Sequence, residues 1–130
     1  MRPLNKRATS LVAEAKAAVE NLNPAQVAAE ISRPDVVTVD LRERDEIVRD
    51  GMIAGAVHVP RGLLEFAADP SSPAHNPRLD PDSRVILYCG SGGRSVLAAR
   101  TLKEMGYASV ASLDGGFAAW KTQGHPTTTV

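Results

Sequence analysis

The chain has 130 residues, fifteen basic and fifteen acidic, and a formal net charge of zero. That length suits one domain with a core large enough to fold unaided. Its charge balance, with one Trp, two Tyr and two Phe, excludes a nucleic-acid footprint, and its one cysteine forms no internal disulfide and suits a reducing compartment.

The N-terminal residues Arg2, Lys6 and Arg7 resemble a signal-peptide n-region. Glu14, Lys16, Glu20 and Asn21 interrupt the segment where its apolar core would follow. No stretch is long enough to span a membrane, so the expected location is cytoplasmic. Residues 9–22 place Leu11, Ala15, Ala18 and Leu22 on one helical stripe. Residues 1–22 are therefore read as an N-terminal helical extension and 23–130 as the main domain. The extension either docks on that domain or serves as a partner-binding helix.

Asn23-Pro24-Ala25-Gln26 is a helix start, with a capping side chain, proline at the first position and Gln26 completing a capping box. That helix ends near Ile31, before Pro34. Val36-Val37-Thr38-Val39 is a β-branched strand leading to Asp40-Leu41-Arg42. Glu43 to Arg49 reads as a short polar helix. Gly51 and Gly55 bracket a turn before a short strand, Ala56 to Val59, and Leu63 to Ala67 is a further helical turn or two. Residues 69–84 carry four prolines among Asp, Ser and Asn, the composition of a long irregular loop. Val85 to Tyr88 is wholly apolar, as a central strand should be. The following helix carries Ala98, Leu102 and Met105 on one face and stops at Gly106. Ser109 to Leu113 is the last strand. Asp114-Gly115-Gly116 turns into a short helix with Phe117 and Trp120, and Thr122 to Val130 reads as a fraying tail. Strands alternating with helices imply a parallel sheet covered on both faces, with ligands beyond the strands' C-terminal ends.

The chemistry concentrates at Cys89-Gly90-Ser91-Gly92-Gly93-Arg94-Ser95, where the central strand gives way to a helix. A free thiol is mostly protonated at neutral pH, with a pKa of about 8.5. Unpaired N–H groups at a helix N-terminus favour the thiolate. Gly90, Gly92 and Gly93 let the loop curl so that its N–H groups point inward. Arg94 adds planar donors suited to oxyanions, and Ser91 and Ser95 offer hydroxyls. A lone cysteine is more often inert and buried. The glycines and Arg94 reverse that preference here.

With these elements in order, the chain resembles the rhodanese family of sulfurtransferases. Cys89, Gly92, Arg94 and Ser95 match the family's Cys-x-x-Gly-x-Arg-Ser loop. Val39-Asp40-Leu41-Arg42-Glu43 is similar to its Asp-Val-Arg-Glu element, and Gly51-Met52-Ile53-Ala54-Gly55-Ala56 to its Gly-His-Ile-x-Gly-Ala turn. Leu113-Asp114-Gly115-Gly116 with Trp120 resembles its closing Gly-Gly-x-x-x-Trp element. The match covers about residues 23–122. Met52 stands where the family often has histidine, a position read as structural because the turn needs its glycines more than an imidazole.

The resemblance implies an α/β three-layer sandwich, with a central parallel sheet of four to five short strands and helices on both faces. It implies a thiosulfate sulfurtransferase in which Cys89 takes a sulfane sulfur as a persulfide and passes it to cyanide or a thiol. Gly90, Ser91, Gly92, Gly93, Arg94 and Ser95 would hold the persulfide and the anionic donor. No metal or organic cofactor, nucleic acid or membrane is implied; a protein sulfur acceptor is a possible partner.

Asp40 and Arg42 either orient the loop or bind substrate, or else form a structural ion pair at the strand end, the reading favoured here. Arg61 either lines the entrance or is solvated. His58 is expected to be a satisfied core histidine, and His75 and His125 are too scattered for a metal site. Ser91 lacks the His–Asp partners of a serine nucleophile. A cysteine-dependent phosphatase is the nearest rival, but its loop typically holds five residues between cysteine and arginine, against four here. A non-enzymatic persulfide carrier or regulatory binding module is the other alternative.

Overall fold

The computed structural model describes residues 1–130. Five parallel strands form one sheet: β1 (Glu20–Leu22), β2 (Val36–Asp40), β3 (Val57–His58), β4 (Arg84–Tyr88) and β5 (Ser109–Leu113). Their spatial order is β1-β5-β4-β2-β3, so β4 is central. Six helices connect them: α1 (Ala8–Ala18), α2 (Pro24–Glu30), α3 (Arg44–Asp50), α4 (Leu64–Ala68), α5 (Gly93–Met105) and α6 (Gly116–Thr122). A single 3-10 turn, Arg61–Leu63, precedes α4.

Alternation along the strands divides the core into two layers. Val85 and Leu87 of β4 join Val37 and Val39 of β2 on the face packed by Ala15 of α1, Ala67 of α4 and Leu102 of α5. Ile86 and Tyr88 point the other way, with Val27 of α2 and Phe117 and Trp120 of α6. Both faces of β4 are thus covered, which accounts for its unbroken apolar run. No helix is long and apolar enough to cross a membrane.

The N-terminal helix ends sooner than its stripe suggests. Val19 is extended, and Asn21 turns its amide back to the carbonyls of Lys16 (2.9 Å) and Val19 (3.0 Å). This local bonding competes with helix continuation. Residues 20–22 become an edge strand paired with Ala111–Leu113, while α1 lies against α5. At the N-terminal edge of the sheet, Arg84 donates to both Glu30 oxygens and to Glu20, tying β4, α2 and β1 together. The asparagine cap of α2 is present as a capping box.

Residues 69–83 form no helix or strand, while Arg84, expected in the loop, opens β4; the loop is nonetheless tied down. Asp69, Asn76 and Asp80 each accept from a backbone N–H two residues ahead, and Leu79 is fully buried. The tail is anchored too, contrary to the fraying expected of its polar sequence. Thr128 exchanges backbone hydrogen bonds with Met52 (2.8 and 2.9 Å), and the Trp120 indole donates to the Pro126 carbonyl (2.8 Å). Gly51 makes the first contact possible. Its φ is +83°, and a Cβ there would stand 2.8 Å from the Thr128 carbonyl oxygen. Gly51→Ala should therefore destabilise the protein by more than about 1 kcal/mol. Faster hydrogen exchange at the Met52 and Thr128 amides is the measurement that checks it.

Candidate active site

Strand β4 ends at Tyr88, and Cys89 follows at the C-terminal edge of the sheet with only 1% of its surface exposed. The loop then curls: Gly92 takes φ +111° and caps α5. Its N–H donates to Cys89 Sγ at 3.2 Å, so a loop amide faces the sulfur. Ser95, in the first turn of α5, places Oγ 3.6 Å from Sγ. The same hydroxyl donates to the Gly92 carbonyl (3.1 Å) and lies 2.8 Å from Ser112 Oγ. Ser91 is exposed at the loop's rim.

The outer side of the loop is held by α6. Phe117 N–H donates to the Cys89 carbonyl (2.8 Å) and Ala118 N–H to that of Gly90 (3.0 Å). Such close approach requires Gly116, at φ +61°, where a Cβ would fall 2.6 Å from the Cys89 oxygen. The Asp114-Gly115-Gly116 turn is thus part of the loop's support.

Arg94 does not stand free beside the thiol. It forms a bidentate pair with Glu46 of α3, at 2.7 and 3.0 Å. Glu46 also accepts from the Glu43 N–H at its own helix start (3.0 Å). Arg94 above all, and then that backbone donor, hold the Glu46 carboxyl down at about 2, against an ordinary 4.5. Nothing local in the sequence marks Glu46, because its partner lies 48 residues away.

Asp40 and Arg42 are both buried and paired. The Arg42 guanidinium reaches Asp40 at 2.8 and 3.1 Å and the Gly51 carbonyl at 2.7 Å, while Asp40 also accepts from the Arg42 N–H (2.9 Å). The cation lies 4.1 Å from the Phe117 ring centre and 5.7 Å from that of Tyr88. Burial and the Asp40 charge push the Tyr88 hydroxyl well above its usual range. That hydroxyl accepts from Ile53 N–H, just after Met52. This network joins the strand end to the glycine turn, so its contacts are those of a structural pair. His58 Nε2 donates to the Arg42 carbonyl (2.7 Å) and His75 Nε2 to that of Leu79 (2.9 Å). Arg61 lies elsewhere, donating to Glu65 (2.8 Å) and Thr101 (3.4 Å).

Two openings flank the loop. A cleft of about 290 Å³ lies beside Gly90, lined by Arg42, Glu46, Phe117 and Lys121 among others. A crevice of about 110 Å³ lies beside Ser91, Gly92 and Gly93, walled by Val12 and Lys16 of α1. Across it Lys16 pairs with Asp114 at 3.0 Å. A buried thiol that accepts from the Gly92 N–H at a helix start, with the paired Arg94 at the rim of the loop, is an arrangement that can favour a thiolate.

A protein-family model for the rhodanese-like domain matches residues 23–123. The chain belongs to the rhodanese-like domain family. A sulfurtransferase of Allochromatium vinosum is 37% identical over 92 residues, covering 71% of this chain and 78% of that protein. The thiosulfate sulfurtransferase GlpE of Coxiella burnetii is 32% identical over 97 residues, covering 75% and 81%. A solved structure from Rhodopseudomonas palustris has a TM-score of 0.93 and 38% identity over 98% of both chains. That protein is described as of unknown function and a possible tyrosine phosphatase. The curated relatives support a sulfurtransferase class for this chain.

The Arg94–Glu46 pair carries a pH signature. Because folding lowers the Glu46 pKa from 4.5 to about 2, its contribution to stability is fully present above pH 4.5 and is lost as pH falls toward 2. Glu46→Gln should flatten that part of the pH–stability curve. Denaturant unfolding at stepped pH is the check.

Proposed function

We propose that this protein is a sulfurtransferase that carries a sulfane sulfur on Cys89. The observation that carries the reading is the Gly92 N–H aimed at Cys89 Sγ inside a loop with four residues between Cys89 and Arg94. The Cys89 thiolate attacks the outer sulfur of thiosulfate or a similar donor. A bond forms between Sγ and that sulfur while the sulfur–sulfur bond of the donor breaks, and its electron pair leaves with sulfite. The product is a cysteine persulfide with its negative charge on the terminal sulfur, under the loop N–H groups. Cyanide or a thiolate then attacks that sulfur, leaves as thiocyanate or a persulfide, and returns the Cys89 thiolate. Arg94, oriented by Glu46, favours an anionic donor. The residues of the loop, Gly90 to Ser95, bind and orient; Asp40 and Arg42 hold the end of β2 to the glycine turn beside it.

The phosphatase reading has the Rhodopseudomonas palustris description behind it. A phosphate monoester needs a proton for its leaving oxygen. Glu46 is held ionised by Arg94 and so has no proton to give. The short loop also offers fewer donors for three equatorial oxygens. Sulfur transfer is therefore the reading adopted.

Mass spectrometry of the protein before and after thiosulfate should show the gain of one sulfur atom on Cys89, removed by cyanide. Absence of that gain, or equal thiocyanate production by Cys89→Ser, would sink the reading, as would faster turnover of an aryl phosphate than of thiosulfate. Arg94→Ala should raise the KM for thiosulfate by roughly tenfold or more, the scale of one charge-assisted hydrogen bond. Steady-state thiocyanate formation measures it.

A further inference from the structure

Strand β5 holds one buried hydroxyl. Ser112 is fully buried between Ala111 and Leu113. It is in register with Leu87 of β4, two residues before Cys89. A buried hydroxyl costs roughly 1–3 kcal/mol unless it is hydrogen-bonded. The side-chain partner of Ser112 is Ser95 Oγ at 2.8 Å, and Ser95 is fully buried as well. Beyond Ser95 stand the Gly92 carbonyl at 3.1 Å and Cys89 Sγ at 3.6 Å.

The protons in this cluster can be placed one by one. A hydroxyl has one proton and two lone pairs, and a carbonyl only accepts. With Cys89 as a thiol, Ser95 donates to the Gly92 carbonyl, and S–H and the Ser112 hydroxyl fill the two lone pairs of Ser95. Every group is then satisfied. Removing the thiol proton makes Sγ an acceptor only. Ser95 then turns its O–H from the Gly92 carbonyl to Sγ, beside the Gly92 N–H already 3.2 Å away. Ser112 keeps donating to Ser95 Oγ and polarises the hydroxyl that faces the sulfur. We infer that Ser112 is a positioning residue for Cys89, acting through Ser95 to favour the charged form of the sulfur. The inference rests on Cys89 being the nucleophile of the proposed transfer.

The charged groups around the thiol are Arg94 on α5, Glu46 on α3, Asp40 and Arg42 at the end of β2, Lys16 on α1 and Asp114 after β5. None of them is altered by Ser112→Ala, so a changed pH response reports the hydroxyl alone. The experiment is iodoacetamide alkylation of Cys89 at neutral and alkaline pH in the full chain, with Ser112→Ala, Ser95→Ala and the double variant. One net hydrogen bond is worth about 1 kcal/mol, so Ser112→Ala should alkylate about fivefold more slowly near neutral pH. Its rate should converge with the parent's at alkaline pH, and the double variant should be no slower than Ser95→Ala. A neutral-pH rate equal to the parent's, or slowdowns that multiply in the double variant, overturns the inference. Ser112→Thr keeps the hydroxyl and should retain the parent's rate; a rate as slow as that of the alanine variant also overturns it, and thermal melts show that each variant is folded. Alkylation needs no sulfur donor, so a protein that fails to load sulfur still gives a readable answer here.

Discussion

The carbonyl oxygens of Cys89 and Gly90 point away from the thiol and into the first turn of α6. The rest of the site depends on this. Two successive peptide groups are thereby fixed, and with them the start of the loop whose Gly92 N–H reaches Sγ. The hydrogen-bond donors are the N–H groups of Phe117 and Ala118, which a helix start leaves without partners of its own. Gly116 permits the approach because any side chain there would collide with the Cys89 oxygen. The loop is shaped from outside by a segment that never touches the sulfur.

Two arginines divide the electrostatic work. Arg42 is buried, and its Nε and Nη2 donate to Asp40 and the Gly51 carbonyl. Removing either member of such a pair leaves an uncompensated charge, so the pair fixes geometry more than it adds stability. Arg94 is partly exposed, and Glu46 holds it without closing it to solvent. The first locks the strand end to the turn after α3. The second keeps a cation at the rim of the loop in one orientation.

What the sequence made readable was local. The cysteine loop, the Gly-Gly turn, the capping box and the apolar run of β4 each declare themselves within a few residues. Contacts between distant segments stayed hidden. Glu46 finds Arg94, Ser112 finds Ser95, and Thr128 finds Met52 only after the chain has folded. Residues 20–22 misled the helical reading because Leu22 extends the stripe of α1, whereas the Asn21 side chain ends the helix and β5 offers an edge. The tail misled it through composition: its polar residues are held by backbone bonds, which composition does not report.

The burial of Cys89 sets a limit on girth. A cysteine residue showing 1% of its surface leaves room for a slim reagent at most and turns away a broad one. Bulky disulfides and peroxidised lipids would meet the loop backbone before they met the thiol. Exclusion of this kind acts by shape alone, so it screens the residue against wide oxidants and not against one as small as hydrogen peroxide.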